Sequence, residues 1–203
     1  MFTKNRIEAL SDGIFAITMT LLVLDLKVEP GAPAALLGAT IRHGGHAWFS
    51  FLITFAIASL FWTLQHRTFD LMQHMSHETL IPTFVFLGLV AILPFTTHLL
   101  GLYIQTPLAF ILYFANQAAI AVALTVKLEL ARYHGHLRVG PETSLLRLRL
   151  FTMCLAMASG LVSATFLPVQ WLWVAPVAIG ITSKRLRATR AARYKEATGA
   201  VKK

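Results

Sequence analysis

The chain has 203 residues, of which 56% are hydrophobic and only 13% charged, with a mean hydropathy of +0.65. A soluble domain carries roughly a quarter charged residues, so this composition excludes a water-coated globule and makes lipid the solvent for much of the surface. The formal net charge of +9 would suggest nucleic acid on a soluble fold; here Lys and Arg sit at the ends of apolar runs and in the C-terminal tail, which points to anionic lipid headgroups.

Crossing a bilayer takes about 20 mostly apolar residues in a helix. The N-terminal run could be a secretory leader, with Lys4 and Arg6 as its basic part, residues 13–24 as its apolar part and Ala32-Pro33-Ala34 as its cleavage site. Glu8 and Asp12 interrupt its start, and Asp25, Lys27 and Glu29 separate the apolar run from the small residues, so a retained helix over 7–26 is the better reading. Charge-free stretches continue at 44–66, 79–126 and 150–183. The stretch over 79–126 is too long for one crossing and is punctuated by Pro94, Gly101 and Pro107 near 96–107, so it reads as two helices. The last stretch divides at Pro168. Six spans are therefore expected, over 7–26, 46–66, 79–100, 108–130, 147–166 and 169–184, followed by a basic tail over 185–203. No linker or internal repeat is apparent, which predicts one domain over 1–203.

Charge distribution tests that count independently. With both termini in the cytoplasm, sixteen of the eighteen basic residues fall inside, among them Lys4, Arg6, Arg67, Lys127, Arg132, Arg138, Arg147 and Arg149, and only Lys27 and Arg42 fall outside. This is the asymmetry that positive-inside insertion produces; five spans would strand the tail on the wrong side. Lys184, Arg187, Arg190 and Arg193 recur every third residue like a voltage sensor, but Ala188, Thr189, Ala191 and Ala192 between them are too weakly apolar to hold that segment in lipid. A helix lying against headgroups is expected there.

The first span is unusual. Its uncharged core is twelve residues long, bounded by Asp12 and Asp25 and preceded by Arg6 and Glu8. Charges at membrane depth are costly and mark a pathway or a paired network, unless Arg6 and Asp12 simply mark the interface. On a helical wheel Gly13, Ile17, Thr20, Leu21 and Leu24 share one face. Such a stripe suits ordinary helix packing or a narrow pore whose aliphatic rings control water and ion passage; periodicity does not decide between them.

The run Arg6-Ile7-Glu8-Ala9-Leu10-Ser11-Asp12-Gly13 resembles the Arg-x-x-x-Phe-Ser-Asp signature of the transmembrane protein 175 family, the family of the lysosomal potassium channel, and is similar to its prokaryotic single-unit members. Leu10 stands where the family has an aromatic residue. The stripe continues as Ile17-x-x-Thr20-Leu21-x-x-Leu24, and Phe61-Trp62-Thr63-Leu64-Gln65-His66 resembles the family's second helix. The resemblance implies an all-α membrane channel, a homotetramer around a central pore lined by the first helix, with potassium as permeant ion and no other cofactor. Ile17, Thr20, Leu21 and Leu24 would form the constriction in place of a carbonyl filter, since no Thr-Val-Gly-Tyr-Gly run exists. Arg6, Ser11, Asp12, Trp62 and His66 would form a polar network supporting the first helix. The plasma membrane of a prokaryote is the implied location. The rival reading is a secondary transporter or proton-coupled carrier using Arg6, Asp12 and His66.

Other constellations are weaker. His66, Asp70, His74 and His77 lie close to one helical stripe beside Glu78, a spacing that could hold a transition metal or sense protons, though a solvated helix end is the blander and preferred reading; no metal is expected. His43, His46 and His98 fall near the outer surface, and Trp48, Trp171 and Trp173 fit interfacial belts. Cys154, the lone cysteine, reads as a small core residue. Paired carboxylates, a nucleophile elbow, a P-loop and His-Glu-x-x-His are all missing from the sequence, so no enzyme is expected.

Overall fold

The computed structural model describes residues 3–26, 45–73, 75–138, 140–166 and 178. The expected sixth span, the basic tail, Lys27, Arg42, His43, His74, Trp171 and Trp173 lie outside the described residues. Within them the chain is helical throughout: α1 (Lys4–Leu21), continued by a 3-10 turn (Leu22–Asp25), then α2 (Gly45–Leu71), α3 (His77–Ala91), α4 (Leu93–Leu102), α5 (Pro107–Tyr133) and α6 (Pro141–Phe166). Five helical stretches are long and apolar enough to cross a membrane: Lys4–Asp25, Gly45–Leu71, His77–Leu102, Pro107–Tyr133 and Pro141–Phe166. This is a multi-pass membrane protein.

Local chemistry sets the boundaries. The third crossing consists of α3 and α4 joined at Ile92. Pro94 has no N–H to return to the preceding turn, so the ladder is interrupted there. The true reversal comes later, at 103–106, and Thr106 with Pro107 at the first helical position then starts α5. Gly135, with φ of 71°, supplies the left-handed residue that ends α5. Two helices overrun the expected lengths at one end of the bundle, where α2 continues to Leu71 and α6 already begins at Pro141. Arg67, expected just beyond the second span, therefore sits on a helix.

α5 packs lengthwise along α6 and α3, α4 lies against α2 and α5, and α1 rests on α2 and α3. Phe15 of α1 meets Phe86 of α3 with ring centroids 5.9 Å apart, and both are buried. At that same end of the bundle, where α2 finishes, the Lys4 ammonium donates to the Met72 carbonyl at 3.0 Å, satisfying an acceptor just beyond the C-terminus of α2. Glu129 of α5 accepts from Arg132 at 2.7 Å and from Arg147 of α6 at 2.5 Å. Cys154 is a free cysteine, half-buried, with Sγ 3.4 Å from the Thr125 hydroxyl.

Candidate functional site: the two faces of the first helix

α1 has two faces of different character. Ile7, Ser11, Phe15 and Thr18, with Leu22 of the following turn, are buried against the rest of the chain. The opposite face carries Arg6, Leu10, Gly13, Ile17, Thr20, Leu21 and Leu24, all exposed, with Ile17 and Leu24 at 61% and 62%. A Cβ placed on Gly13 would meet nothing within 4 Å. Every one of the proposed constriction residues is thus free of contacts that would bury it within its own chain. The Thr20 hydroxyl donates to the Ile17 carbonyl one turn back, at 2.8 Å.

A polar cluster joins the inner half of α1 to α2. Trp62 Nε1 donates to Asp12 Oδ1 at 2.9 Å, and the Trp62 ring stacks on His66, centroids 5.7 Å apart. The spacing of four residues on α2 aligns those two rings on one face. His66 Nδ1 lies 3.4 Å from Glu8 Oε1, and its Nε2 lies 3.9 Å from Asp70 Oδ2. Of the five expected network residues, Asp12, Trp62 and His66 come together. Ser11 is buried with no partner for its hydroxyl among the described residues, and Arg6 points to the open face with no ion pair among them.

Glu8 and Asp70 were not expected in this network. Glu8 sits within the signature run, and Asp70 lies one turn beyond His66, which is the spacing signal that could have found it. Of the wider stripe over His66, Asp70, His74 and His77, His66 and Asp70 share α2, and His74 lies outside the described residues. α2 ends at Leu71 and His77 opens the next helix; Glu8, His66 and Asp70 are the group whose ligand-capable atoms approach one another, within 4.8 Å. Glu8 lies nearer the Nδ1 of that ring and Asp70 nearer its Nε2.

Lys127 corrects the charge count. Taken from the sequence as part of the cytoplasmic loop, it is buried within the bundle. Its ammonium donates to Gln65 Oε1 at 3.2 Å and stands 3.5 Å above the Phe69 ring. A buried cation requires such compensation. The missed signal is periodic: Lys127 falls with Ile120, Leu124, Leu128 and Ala131 on the inward face of α5.

Towards the outer end, His98 of α4 holds Asp25 at the end of the 3-10 turn, Nδ1 to Oδ1 2.8 Å. A second buried chain of hydroxyls links three helices, with Thr97 donating to Thr54 at 3.1 Å and Thr54 lying 3.0 Å from the Tyr113 hydroxyl.

Residues 6–94, which hold both α1 and the α2 cluster, match the profile of the endosomal/lysosomal potassium channel TMEM175 family. Over the fuller chain the fold agrees with the crystal structure of a lysosomal potassium-selective channel TMEM175 homolog from Chamaesiphon minutus, with a TM-score of 0.76, 26% identity and coverage of 89% of this chain and 97% of that one. The chain is similar to the TMEM175 family in its first helices and in its fold. A potassium channel of Chamaesiphon minutus is 37% identical over 107 residues, 52% of this chain and 53% of that protein. A potassium channel of Streptomyces collinus is 28% identical over 68% of each chain. The first of these alignments thus spans about half the length of the relative. A potassium channel called MtTMEM175, solved with a nanobody fusion, shares the fold at a TM-score of 0.65 and 18% identity. These relatives are named as potassium channels.

Proposed function

We propose that the chain forms a potassium-permeable cation channel in a prokaryotic plasma membrane. Four copies of the six-helix chain, both termini cytoplasmic, surround a pore lined by α1. The observation that carries this reading is the open face of α1, where Arg6, Gly13 and Thr20 lie exposed in line with Ile17 and Leu24. Polar groups and exposed backbone at membrane depth are costly against lipid, so this face suits an aqueous axis shared with other copies. Cyclic symmetry brings the same face of each copy to the centre.

On this reading Ile17, Leu21 and Leu24 form stacked aliphatic rings, with the Thr20 hydroxyls between them. A narrow aliphatic ring sheds water and blocks ions; slight widening readmits water and conducts. Without a carbonyl ladder the preference among cations is modest and favours the ion that loses water more readily, potassium over sodium. The Asp12–Trp62–His66–Glu8 contacts hold α1 to α2 and so set how far α1 tilts. Support comes from the named potassium channels among its relatives and from the uninterrupted course of α1, where a carrier would be expected to break its helix around the ion.

Purified protein in a planar bilayer tests this. With potassium on one side and sodium on the other, unitary steps reversing on the potassium side are expected, and Ile17→Ala or Leu24→Ala should raise conductance and blunt the preference. Slow, saturating flux without steps, or two variants indistinguishable from the parent, would refute it.

A further inference from the structure

At the end of the bundle where α2 finishes and α6 begins, a cavity of about 510 Å³ opens between them. Its size falls within the range of ligand pockets, roughly 300–1,000 Å³. Arg67 and Asp70 line it from α2, Glu142 and Arg149 from α6, and Leu145 and Leu146 give it an apolar floor. Two guanidinium and two carboxylate groups thus face one space. Among the described residues Arg67 pairs with neither carboxylate within 4.0 Å, and Glu142 makes no ion pair; Asp70 reaches only His66, at 3.9 Å.

We propose that this cavity binds the headgroup of a phosphoethanolamine phospholipid, phosphate towards Arg67 and Arg149, ammonium towards Asp70 and Glu142, with acyl chains leaving over the leucines. The charge pattern selects among lipids. An anionic headgroup would leave two carboxylates uncompensated beside it. A choline headgroup matches the charges but has no N–H to donate, whereas an ammonium offers three donors to carboxylate acceptors. The positive-inside count places this end in the inner leaflet, at headgroup level. Because Asp70 also faces His66, the lipid would sit one side chain away from the contacts that hold α1.

The test uses the full chain reconstituted in vesicles holding equal parts of phosphatidylcholine, phosphatidylethanolamine and phosphatidylglycerol, re-extracted and weighed by native mass spectrometry. Retained phosphatidylethanolamine should exceed either other lipid several-fold. Arg67→Gln with Arg149→Gln should abolish the enrichment, and Asp70→Asn with Glu142→Gln should turn it towards phosphatidylglycerol. Enrichment that survives both double variants overturns the proposal, as does equal retention of phosphatidylcholine. Displacement by soluble glycerophosphoethanolamine at millimolar concentration would assign the site to a free phosphate ester instead of a lipid. If the arginine pair fails to fold, Asp70→Asn alone should still weaken the enrichment and Arg67→Lys should keep it; an unchanged Asp70→Asn variant overturns the proposal.

Discussion

Lys127 shows how a single residue can oppose the general trend of its neighbourhood. An ammonium without water needs acceptors, and Gln65 together with the Phe69 ring supplies them. A hydrogen bond to a charged group contributes about 1.5–3 kcal/mol, so Gln65→Leu should lower thermal stability in detergent by that order. Lys127→Met removes the charge at similar volume and should cost little or raise stability, and adding it to Gln65→Leu should recover most of the loss. Additive losses would remove the coupling claimed here. Gly160 is set by closeness of approach: a Cβ there would stand 2.4 Å from the buried Phe114 ring. Gly160→Ala should therefore destabilise the α5–α6 contact by about 1–3 kcal/mol, read as a lower midpoint in thermal unfolding. Asp12, Trp62 and His66 were legible through two runs that resemble a known family, and the fold brings the three side chains together. Lys127 was missed because counting charges by loop ignores the inward period of the helix that carries it.

At the scale of elements, α1 is held at several points along its length. Lys4 ties its start to Met72, Asp12 and Glu8 tie its inner half to α2, and Asp25 ties its outer end to His98 of α4. The Asp25–His98 tie adjoins Leu24, so on the proposed pore loosening it should change how the Leu24 ring sits. Asp25→Asn and His98→Gln are each expected to alter open probability in bilayer recordings, and the double variant should change it no more than the larger single effect. Independent, summed effects would show that the pair does not act as a unit. Helix positions were legible because apolar runs and Pro–Gly punctuation mark where helices form and stop. The interruption at Ile92 was not, since Pro94 lies inside an apolar run and the reversal needed the stronger signal of Thr106-Pro107. α2 and α6 also run longer than their apolar runs, because polar turns carrying Arg67 and Glu142 continue the helices beyond them.

For the molecule as a whole, composition made the membrane class readable, and the placement of the basic residues gave an expected orientation. Assembly was not readable from periodicity, because a stripe such as Ile17, Thr20, Leu21 and Leu24 reads the same whether it meets lipid, a neighbouring helix or water. The fold narrows that choice by burying Ile7, Ser11, Phe15 and Thr18 against the chain itself and leaving the stripe uncovered. The account therefore depends on four such faces meeting at one axis. The most direct measurement is block of current by a charged, thiol-reactive methanethiosulfonate in a Cys154→Ser background, with cysteine introduced singly at Ile17, Leu21 or Leu24 and at Phe15 as the buried reference. Rapid, irreversible block at the three stripe positions and none at Phe15 is predicted; currents untouched at all three, in channels that still conduct, would contradict the account.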